Sequence, residues 1–351
     1  MVEFWRFGGT PQPAADAGRI AKRLEDLGWD GLVVGEDAGV IAESYVYLSA
    51  AAACTSTLKL GTGVSVPLRH PIQAASAAAT LQAISNGRFV PSYGRGDGGL
   101  AILGRAPLNV AQFFAYVRQV KAYLDHEVVS DDGFEHSMQR LFDTDPSIDA
   151  ARVPIDISAT GPKMIAQAAQ FADGVTFAVG ADLGRLRQCA AWAREACASN
   201  GRDPSTCRLS AYIPLAVVPN GNRAWARQVI RGGVLRHARF SAFDGKILDG
   251  VESADSNTVM KAFEATRDHS LHAPRPADFS VADEVIDDEF LERFAIVGEP
   301  QECADRLAEV IDIGIERVVA LCRVPTTDPH EENAARIAQE VFPLMAAMTS
   351  R

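Results

Sequence analysis

The chain has 351 residues, of which 47% are hydrophobic and 23% are charged, and its formal net charge is −11. This composition is that of a globular protein and argues against a disordered chain. The excess of acidic over basic residues argues against a nucleic-acid or anionic-membrane surface, because no basic field covers the molecule.

Cysteine usage and the N-terminus indicate the compartment. None of the six cysteines has C-x-x-C spacing, so we expect small buried thiols in a reduced, cytoplasmic protein. The first ten residues lack the basic and apolar regions of a secretory signal. No uncharged apolar run reaches the roughly 18 residues of a transmembrane helix, and we expect no membrane partner.

Short apolar strands alternate with amphipathic helices along the chain. In chain order, strands are predicted at 4–7, 31–34, 58–63, 89–93, 155–158, 175–177, 208–218 and 317–321. Helices are predicted at 13–27, 43–54, 72–84, 161–171, 183–198, 225–240, 298–313 and 332–347. This alternation is typical of a parallel sheet covered by helices, and about eight units favour a closed barrel. We therefore predict an α/β fold, a single (β/α)8 TIM-barrel domain over residues 1–351.

Two stretches break the alternation. Residues 125–151 are rich in charge and contain Ser130-Asp131-Asp132-Gly133, which predicts a hairpin or lid turn, whereas residues 243–289 cannot be ordered from sequence. We expect both to be irregular insertions at the C-terminal face of the barrel, where they shape the substrate mouth.

The run Gly94-Arg95-Gly96-Asp97-Gly98-Gly99 fits the dinucleotide pattern G-x-G-x-x-G. It follows the fourth predicted strand rather than the first, and no acidic residue stands near position 119 to bind a ribose. We interpret it as a turn that brings backbone close to a planar ligand, with a purely structural turn as the alternative.

Two further loops have the same character. Residues 60–71 pass from a strand through Gly63-Val64 to a helix that starts at Pro71, and Ser158 to Lys163 precede another helix. Free N–H groups at that second helix start, with Lys163, can bind a phosphate. Each loop alone is equally explained as an ordinary connection, but three such loops together favour a flat, phosphorylated ligand.

The motifs together resemble the bacterial-luciferase-like superfamily, and most closely its methylenetetrahydromethanopterin reductase branch, which uses the deazaflavin coenzyme F420. The resemblance covers residues 4–125, 153–218 and 290–345. It rests on the following motifs: Arg69-His70-Pro71 to Leu81, Ser85-Asn86-Gly87-Arg88, Gly94-Arg95-Gly96-Asp97, Ala159-Thr160-Gly161-Pro162-Lys163, Ala172-Asp173-Gly174-Val175, Val297-Gly298-Glu299-Pro300 with Ala304 to Leu307, and Ile313-Gly314.

The resemblance implies a cis peptide at Gly63-Val64, where the backbone bulges under the cofactor ring. It also implies that Asp97 and Asp37 are catalytic and lie near the ring and substrate. Relatives often carry histidine directly after the aspartate that corresponds to Asp37. This chain has Ala38 at that position, which puts any mechanism that uses the histidine in doubt. The predicted cofactor-binding residues are Gly63, Val64, Gly94, Gly96, Asp97, Ala159, Thr160, Gly161, Pro162, Lys163, Ala178, Val179 and Gly180.

Several histidines and aromatic residues are interpreted as structural. His70 stands at a helix start and is interpreted as structural. His269-x-x-His272 lacks a third ligand at suitable spacing, so we predict no metal site. Trp5, Phe7 and Tyr93 are interpreted as core or barrel-mouth aromatics.

Three functions remain open at this point. FMN-dependent relatives carry a different sequence after the Gly-Arg pair than this chain has in residues 87–97. The difference favours an F420-dependent oxidoreductase that moves a hydride to or from a small organic substrate. The alternatives are an FMN-dependent monooxygenase that uses O2 and a separate flavin reductase, and a non-catalytic flavin-binding barrel. Relatives are commonly dimers, so we expect a homodimer.

Overall fold

A computed structural model describes residues 2–8, 13–96, 98–149, 152–243, 245–266, 279–322 and 329–349. Its strands are β1 (Glu3–Phe7), β2 (Gly31–Val34), β3 (Lys59–Thr62), β4 (Phe89–Val90), β5 (Ser92–Tyr93), β6 (Val129–Asp131), β7 (Phe134–His136), β8 (Asp156–Ala159), β9 (Gly174–Phe177), β10 (Arg208–Val217), β11 (Ala242–Phe243), β12 (Lys246–Ile247), β13 (Ile296–Gly298) and β14 (Arg317–Leu321).

The α-helices between and after these strands are α1 (Ala17–Asp26), α2 (Ser44–Ala53), α3 (Pro71–Ile84), α4 (Val110–Leu124), α5 (Gln139–Thr144), α6 (Pro146–Asp149), α7 (Pro162–Ala169), α8 (Leu183–Ser199), α9 (Arg223–Ala238), α10 (Ser256–Thr266), α11 (Phe279–Val285), α12 (Asp288–Phe294), α13 (Pro300–Asp312), α14 (Pro329–Arg336) and α15 (Phe342–Thr349). Short 3-10 helices lie at Ala14–Asp16, Ala101–Leu103, Pro204–Thr206 and Arg239–Ser241, and a π-helical turn at Ile337–Val341 joins the last two helices.

The chain forms two compact units. The N-terminal unit contains residues 11–26 and 30–158, and the C-terminal unit contains residues 1–10, 27–29 and 159–351. Each has its own parallel strands and covering helices. The single-domain assignment over residues 1–351 stays a prediction.

In the N-terminal unit, β2, β3 and β4 are parallel neighbours, and β5 pairs in parallel with β8. The predicted strand 89–93 is wrong as one element, because Pro91 has no N–H to donate and separates β4 from β5. The Thr62 hydroxyl bridges the break: it donates to Ser92 O and accepts from Ser92 N, both at 3.0 Å. The chain therefore continues to the same edge of the sheet after the break.

The C-terminal unit contains the parallel series β1, β14, β10 and β9, and β13 pairs with the far end of β10. Trp5, Val319 and Tyr212 lie side by side in this register, so their side chains share one face of the sheet. Because β10 has ten residues, it extends beyond its neighbours to a second pairing partner.

Much of the stretch 243–289 that the sequence could not order is helical. Within the described residues, α9, α10 and α12 pack with β13 around a separate apolar cluster that includes Val229, Val259 and Phe290. Each of these three side chains is at most 4% exposed. This cluster therefore anchors the segment against β10 and β13.

Residues 125–149 are more regular than expected. The predicted hairpin is confirmed: β6 and β7 are antiparallel around Asp132 and Gly133, whose φ angles are +47° and +81°. Two positive φ angles are typical of the tight turn that matches the twist of a hairpin. Two short helices, α5 and α6, follow the hairpin.

Candidate functional site

The peptide bond between Gly63 and Val64, directly after β3, is cis, as the resemblance implies. Gly94, directly after β5, packs against the same valine: a Cβ on Gly94 would lie 2.5 Å from Val64 Cγ2. No larger residue fits at position 94 without displacing Val64. The segments that directly follow β3 and β5 therefore pack closely against each other.

The glycine loop after β5 fits closely on its surroundings. Gly96 has a φ of +91°, and a Cβ there would lie 2.6 Å from Leu100 Cδ1. A Cβ on Gly99 would lie 2.8 Å from Glu36 O, so the loop also contacts the end of β2. These positions require glycine for close approach, as the sequence predicts. Asp97 itself lies outside the described residues, and its catalytic role stays a prediction.

Asp37 follows β2 on the same side of the N-terminal unit. Its side chain is half-buried, and Oδ1 lies 3.5 Å from the point where a Cβ on Gly98 would stand. Its carbonyl oxygen accepts N–H bonds from Val40 at 3.0 Å and Ile41 at 3.2 Å, which turn the chain away after the strand. The carboxylate is therefore placed beside the glycine loop.

Sequence reasoning missed the role of Glu36, which is 9% exposed. Its Oε2 accepts the backbone N–H of Val66 at 2.8 Å, and its Oε1 binds the Arg69 guanidinium. Burial raises the pKa of Glu36, although the Val66 N–H and the Arg69 charge act in the opposite direction. An acidic residue at the end of four buried apolar residues was the only signal available in the sequence.

Arg69 connects this carboxylate to α2. Its guanidinium also binds Glu43 and lies 4.8 Å from the centre of the Tyr45 ring. The Tyr45 hydroxyl is 3.1 Å from Ser65 Oγ, and burial raises the pKa of Tyr45 to about 12. The segment after the cis peptide is thus fixed by a buried polar cluster rather than by apolar packing alone.

His70 has the structural role that its position predicts. It is the N-cap of α3, with Nδ1 accepting the Ile72 N–H at 3.3 Å, and its Nε2 lies 3.2 Å from Asp131 Oδ2. Both ring nitrogens are therefore engaged with the protein.

In the C-terminal unit, the predicted phosphate loop leads from β8 into α7. Gly161 is the N-cap, Pro162 is the first helical residue, and no described side chain caps the helix. Thr160 is half-buried and Lys163 is exposed. No described side chain therefore takes up the N–H groups of the first turn, which are the groups that a phosphate would need.

The loop Ala178–Gly180 lies beside that segment, since Ala178 N donates to Ala159 O at 3.3 Å. Gly180 has a φ of +70°, and a Cβ there would lie 2.5 Å from Phe294 O. The next residue, Ala181, donates its N–H to the same oxygen at 2.8 Å. The loop is therefore held firmly and has no room for a side chain at position 180.

A group of aromatic rings, here called the aromatic wall, lies at the end of β1 and was only partly anticipated. The Phe7 ring is 5.9 Å from Tyr212 and 6.1 Å from His237, and His237 is also 5.9 Å from Tyr212. His237 Nδ1 lies 3.0 Å from Gly233 O, which orients the imidazole. The pairing of β9 with β10 ends at Phe177 and Ala211, one residue before Ala178 and Tyr212.

Metal-ligand clusters and long apolar helices are both missing from the described residues. They contain no group of three His, Cys, Asp or Glu side chains placed to hold a metal ion. The pair His269 and His272 falls outside the described residues. No helix among those described has the length and apolarity needed to cross a membrane.

Comparison with known proteins identifies the family. A model of the luciferase-like monooxygenase family matches residues 1–317. The chain belongs to this family. A 5,10-methylenetetrahydromethanopterin reductase from Methanolobus tindarius is 25% identical over 335 residues, which cover 93% of this chain and 94% of the relative.

Solved structures confirm the predicted TIM-barrel fold class. The coenzyme F420-dependent tetrahydromethanopterin reductase from Methanopyrus kandleri matches with a TM-score of 0.76 at 20% identity, covering 98% of this chain and 99% of that one. A riboflavin lyase solved with modified FMN and riboflavin matches with a TM-score of 0.67 at 13% identity, covering 99% and 92%. The related proteins thus include enzymes with either cofactor.

Proposed function

We propose that this protein is an F420-dependent oxidoreductase that transfers a hydride between the deazaflavin and a small organic substrate. The observation that carries the proposal is the match, along more than nine-tenths of both chains, to a methylenetetrahydromethanopterin reductase. The structure of a coenzyme F420-dependent tetrahydromethanopterin reductase supports it with the same fold.

The local geometry of the N-terminal unit fits a flat ring. The glycines at 63 and 94, directly after β3 and β5, present backbone rather than side chains, and Gly94 packs against Val64. We assign Gly63, Val64, Gly94 and Gly96 to the ring. Asp97, which lies outside the described residues, stays a sequence-based prediction for the same role. Backbone surfaces of this kind let a planar cofactor approach closely.

In the C-terminal unit, we assign phosphate binding to Thr160, Gly161 and Lys163, with Ala159 and Pro162 shaping the loop. The uncapped first turn of α7 supplies N–H donors, and the lysine supplies a positive charge. Ala178, Val179 and Gly180 form the adjoining backbone surface.

When bound, F420 supplies a two-electron hydride carrier that reacts poorly with oxygen. The protein must then orient the substrate, exclude water and move one proton, so that a C=O or C=N group gains a hydride at carbon and a proton at the heteroatom. We assign the proton to Asp37 or Asp97. The reverse reaction removes the same hydride and proton.

Titration of the purified protein with F420 and with FMN, followed by ligand fluorescence, tests the proposal. We expect saturable binding of F420 and much weaker binding of FMN. Preference for FMN would contradict the proposal, and binding of F420 without turnover on any candidate alcohol, ketone, aldehyde or imine would indicate a non-catalytic binder.

An FMN-dependent monooxygenase is the second candidate, favoured by the family's description and by the riboflavin lyase with modified FMN. Oxygen consumption in the presence of FMN, NADH and a separate flavin reductase distinguishes it. Consumption that depends on both the protein and a substrate would support this candidate and exclude hydride transfer from F420.

A further inference from the structure

A buried arginine in the C-terminal unit has no acidic partner within ion-pair distance among the residues that the structure describes. Arg185 lies in the first turn of α8 and is 6% exposed. Its guanidinium makes one hydrogen bond to the described part of the chain, from Nη1 to Ser241 Oγ at 2.5 Å. No carboxylate among the described residues lies within ion-pair distance of it.

Three groups act on the Arg185 charge from further away: the buried thiol of Cys189, whose raised pKa keeps it neutral at pH 7, and two carboxylates that are each already engaged. Asp182 caps α8 by accepting the backbone N–H of Arg185 at 2.9 Å. Asp255, which is 6% exposed, binds the guanidinium of Arg293. Burial lowers the pKa of Arg185, but an arginine keeps its charge in proteins. Within the described residues, the positive charge at this position therefore has only longer-range compensation and no direct ion pair.

An uncompensated buried charge is costly to the folded state, because neither water nor a counter-charge replaces its lost hydration. Arg317 shows what compensation of a buried arginine looks like. Arg317, which is 4% exposed, pairs with Glu3 at 3.2 Å and stacks 4.1 Å above Trp5. Arg185 has only a neutral hydroxyl, and a guanidinium presents several donors in a planar fork suited to carboxylate or phosphate.

The surroundings of Arg185 include the proposed ligand loops. It follows the loop Ala178–Gly180 by five residues, within the first turn of the next helix. Ser241 holds the guanidinium and also accepts the Leu248 N–H at 2.9 Å. The Leu248 side chain would be 3.6 Å from a Cβ on Gly161, the N-cap of α7. Ser241 and Leu248 therefore link the Arg185 guanidinium to Gly161 at the start of α7.

We propose that Arg185 binds an anionic group of the substrate, a carboxylate or a phosphate, and so selects acidic substrates. The inference rests on the proposed function only in naming the substrate as the anion's source. Ser241 is the positioning residue that orients the guanidinium. Its neighbour Phe240 contacts His237, with ring centres 5.6 Å apart, which connects the cation to the aromatic wall.

Anion binding by the cofactor-free protein tests the site independently of turnover. Thermal melts are recorded with increasing sodium phosphate or sodium acetate, with sodium chloride at equal ionic strength as the reference. We expect both oxyanions to raise the Tm of the wild type and the R185K variant. The R185Q variant should need at least tenfold more anion for the same shift.

R187Q is the matched control, because Arg187 lies on the same helix but is exposed. It removes the same charge and should respond as the wild type does. Equal responses in R185Q and the wild type would overturn the site. If R185Q does not fold, S241A replaces it, and an undiminished anion response in S241A would overturn the site.

The cofactor-loaded protein distinguishes the two sources of the anion. If the substrate is the source, protein saturated with F420 keeps its phosphate response and R185Q binds F420 with unchanged affinity. If F420 abolishes the response and R185Q weakens F420 binding tenfold, the site belongs to the cofactor and the substrate assignment is overturned. Failure to bind F420 at all contradicts the proposed function, whereas the cofactor-free titration still decides the anion site.

Discussion

Glu36 Oε2 accepts the backbone N–H of Val66 at 2.8 Å, two residues beyond the cis peptide Gly63–Val64. This bond joins the end of β2 to the segment that follows β3. Both places border the backbone surface that we assign to the cofactor ring. Because Arg69 holds the other oxygen of the same carboxylate, the position of Val66 depends on a buried ion pair.

The variant E36Q tests that dependence. A glutamine side chain has nearly the same shape, but its NH2 group opposes the Arg69 donors and leaves that cation less compensated. We expect the free energy of unfolding to fall by about 2–3 kcal/mol and the F420 affinity to fall about tenfold. Urea unfolding and F420 fluorescence titration measure the two effects.

The exposed Glu135 of the hairpin provides the control. E135Q removes the same charge from the same unit and should change neither quantity. An E36Q protein that loses stability but binds F420 normally would show that the ion pair supports the fold without positioning the cofactor surface.

The sequence predicted the elements that bury one continuous apolar face, because periodicity records burial directly. It also predicted the glycines at 94 and 96, since close backbone approach leaves few other residues possible. Helix α4 was missed although its capping box, Asn109 with Gln112, is readable. Signals of that kind mark a helix start without stating which face is buried.

The polar contacts of the site were not predictable in the same way. Glu36 and Arg69 are 33 residues apart, and their contact depends on how β2 and the loop after β3 fold. Likewise, His237 reaches Phe7 only because α9 runs back along β10, an arrangement set by the packing of a segment without clear periodicity. Tertiary contacts of this kind have no local pattern in one sequence.

Thiol chemistry should be confined to one cysteine. Cys54 is exposed, whereas the other five cysteines are buried. Burial raises the pKa of Cys189, Cys303 and Cys322 to about 12 each, so their reactive thiolate forms are scarce at neutral pH. We expect iodoacetamide at pH 8 to add one carbamidomethyl group per native chain, measured by intact mass and located by peptide mapping. The C54S variant should gain none, and labelling of a buried cysteine in the native protein would contradict this account.

Acid sensitivity of the N-terminal unit should depend on Glu25. Burial acts to raise its pKa, but Oε1 accepts N–H bonds from Ser56, Thr57 and Leu58 and one bond from the Thr57 hydroxyl, and together they lower the pKa to about 2. Because the folded-state pKa lies below the ordinary value of 4.5, this stabilisation is complete above pH 4.5 and is lost as the pH falls towards 2.

The variant E25Q should therefore lose about 1–2 kcal/mol of unfolding free energy at pH 7, a value reduced for solvent screening. The difference from the wild type should shrink as the pH falls below 4.5, as measured by urea unfolding at several pH values. E127Q, at an exposed glutamate, should show no such pH dependence. A constant difference at every pH would mean that shape, not charge, is responsible.

The glycine at position 94 should be needed for cofactor binding. In G94A, the new Cβ would lie 2.5 Å from Val64 Cγ2, so either Val64 or the glycine loop must move. We expect F420 affinity to fall at least tenfold, with a loss of about 1–3 kcal/mol in stability.

The matched control is G232A, because a Cβ at Gly232 meets no atom within 4 Å and the position is helical. There, alanine should be neutral or slightly stabilising. If G94A binds F420 as tightly as G232A does, the ring is not bound on the surface formed by Gly94 and Val64, and the assignment of these residues to the cofactor is wrong.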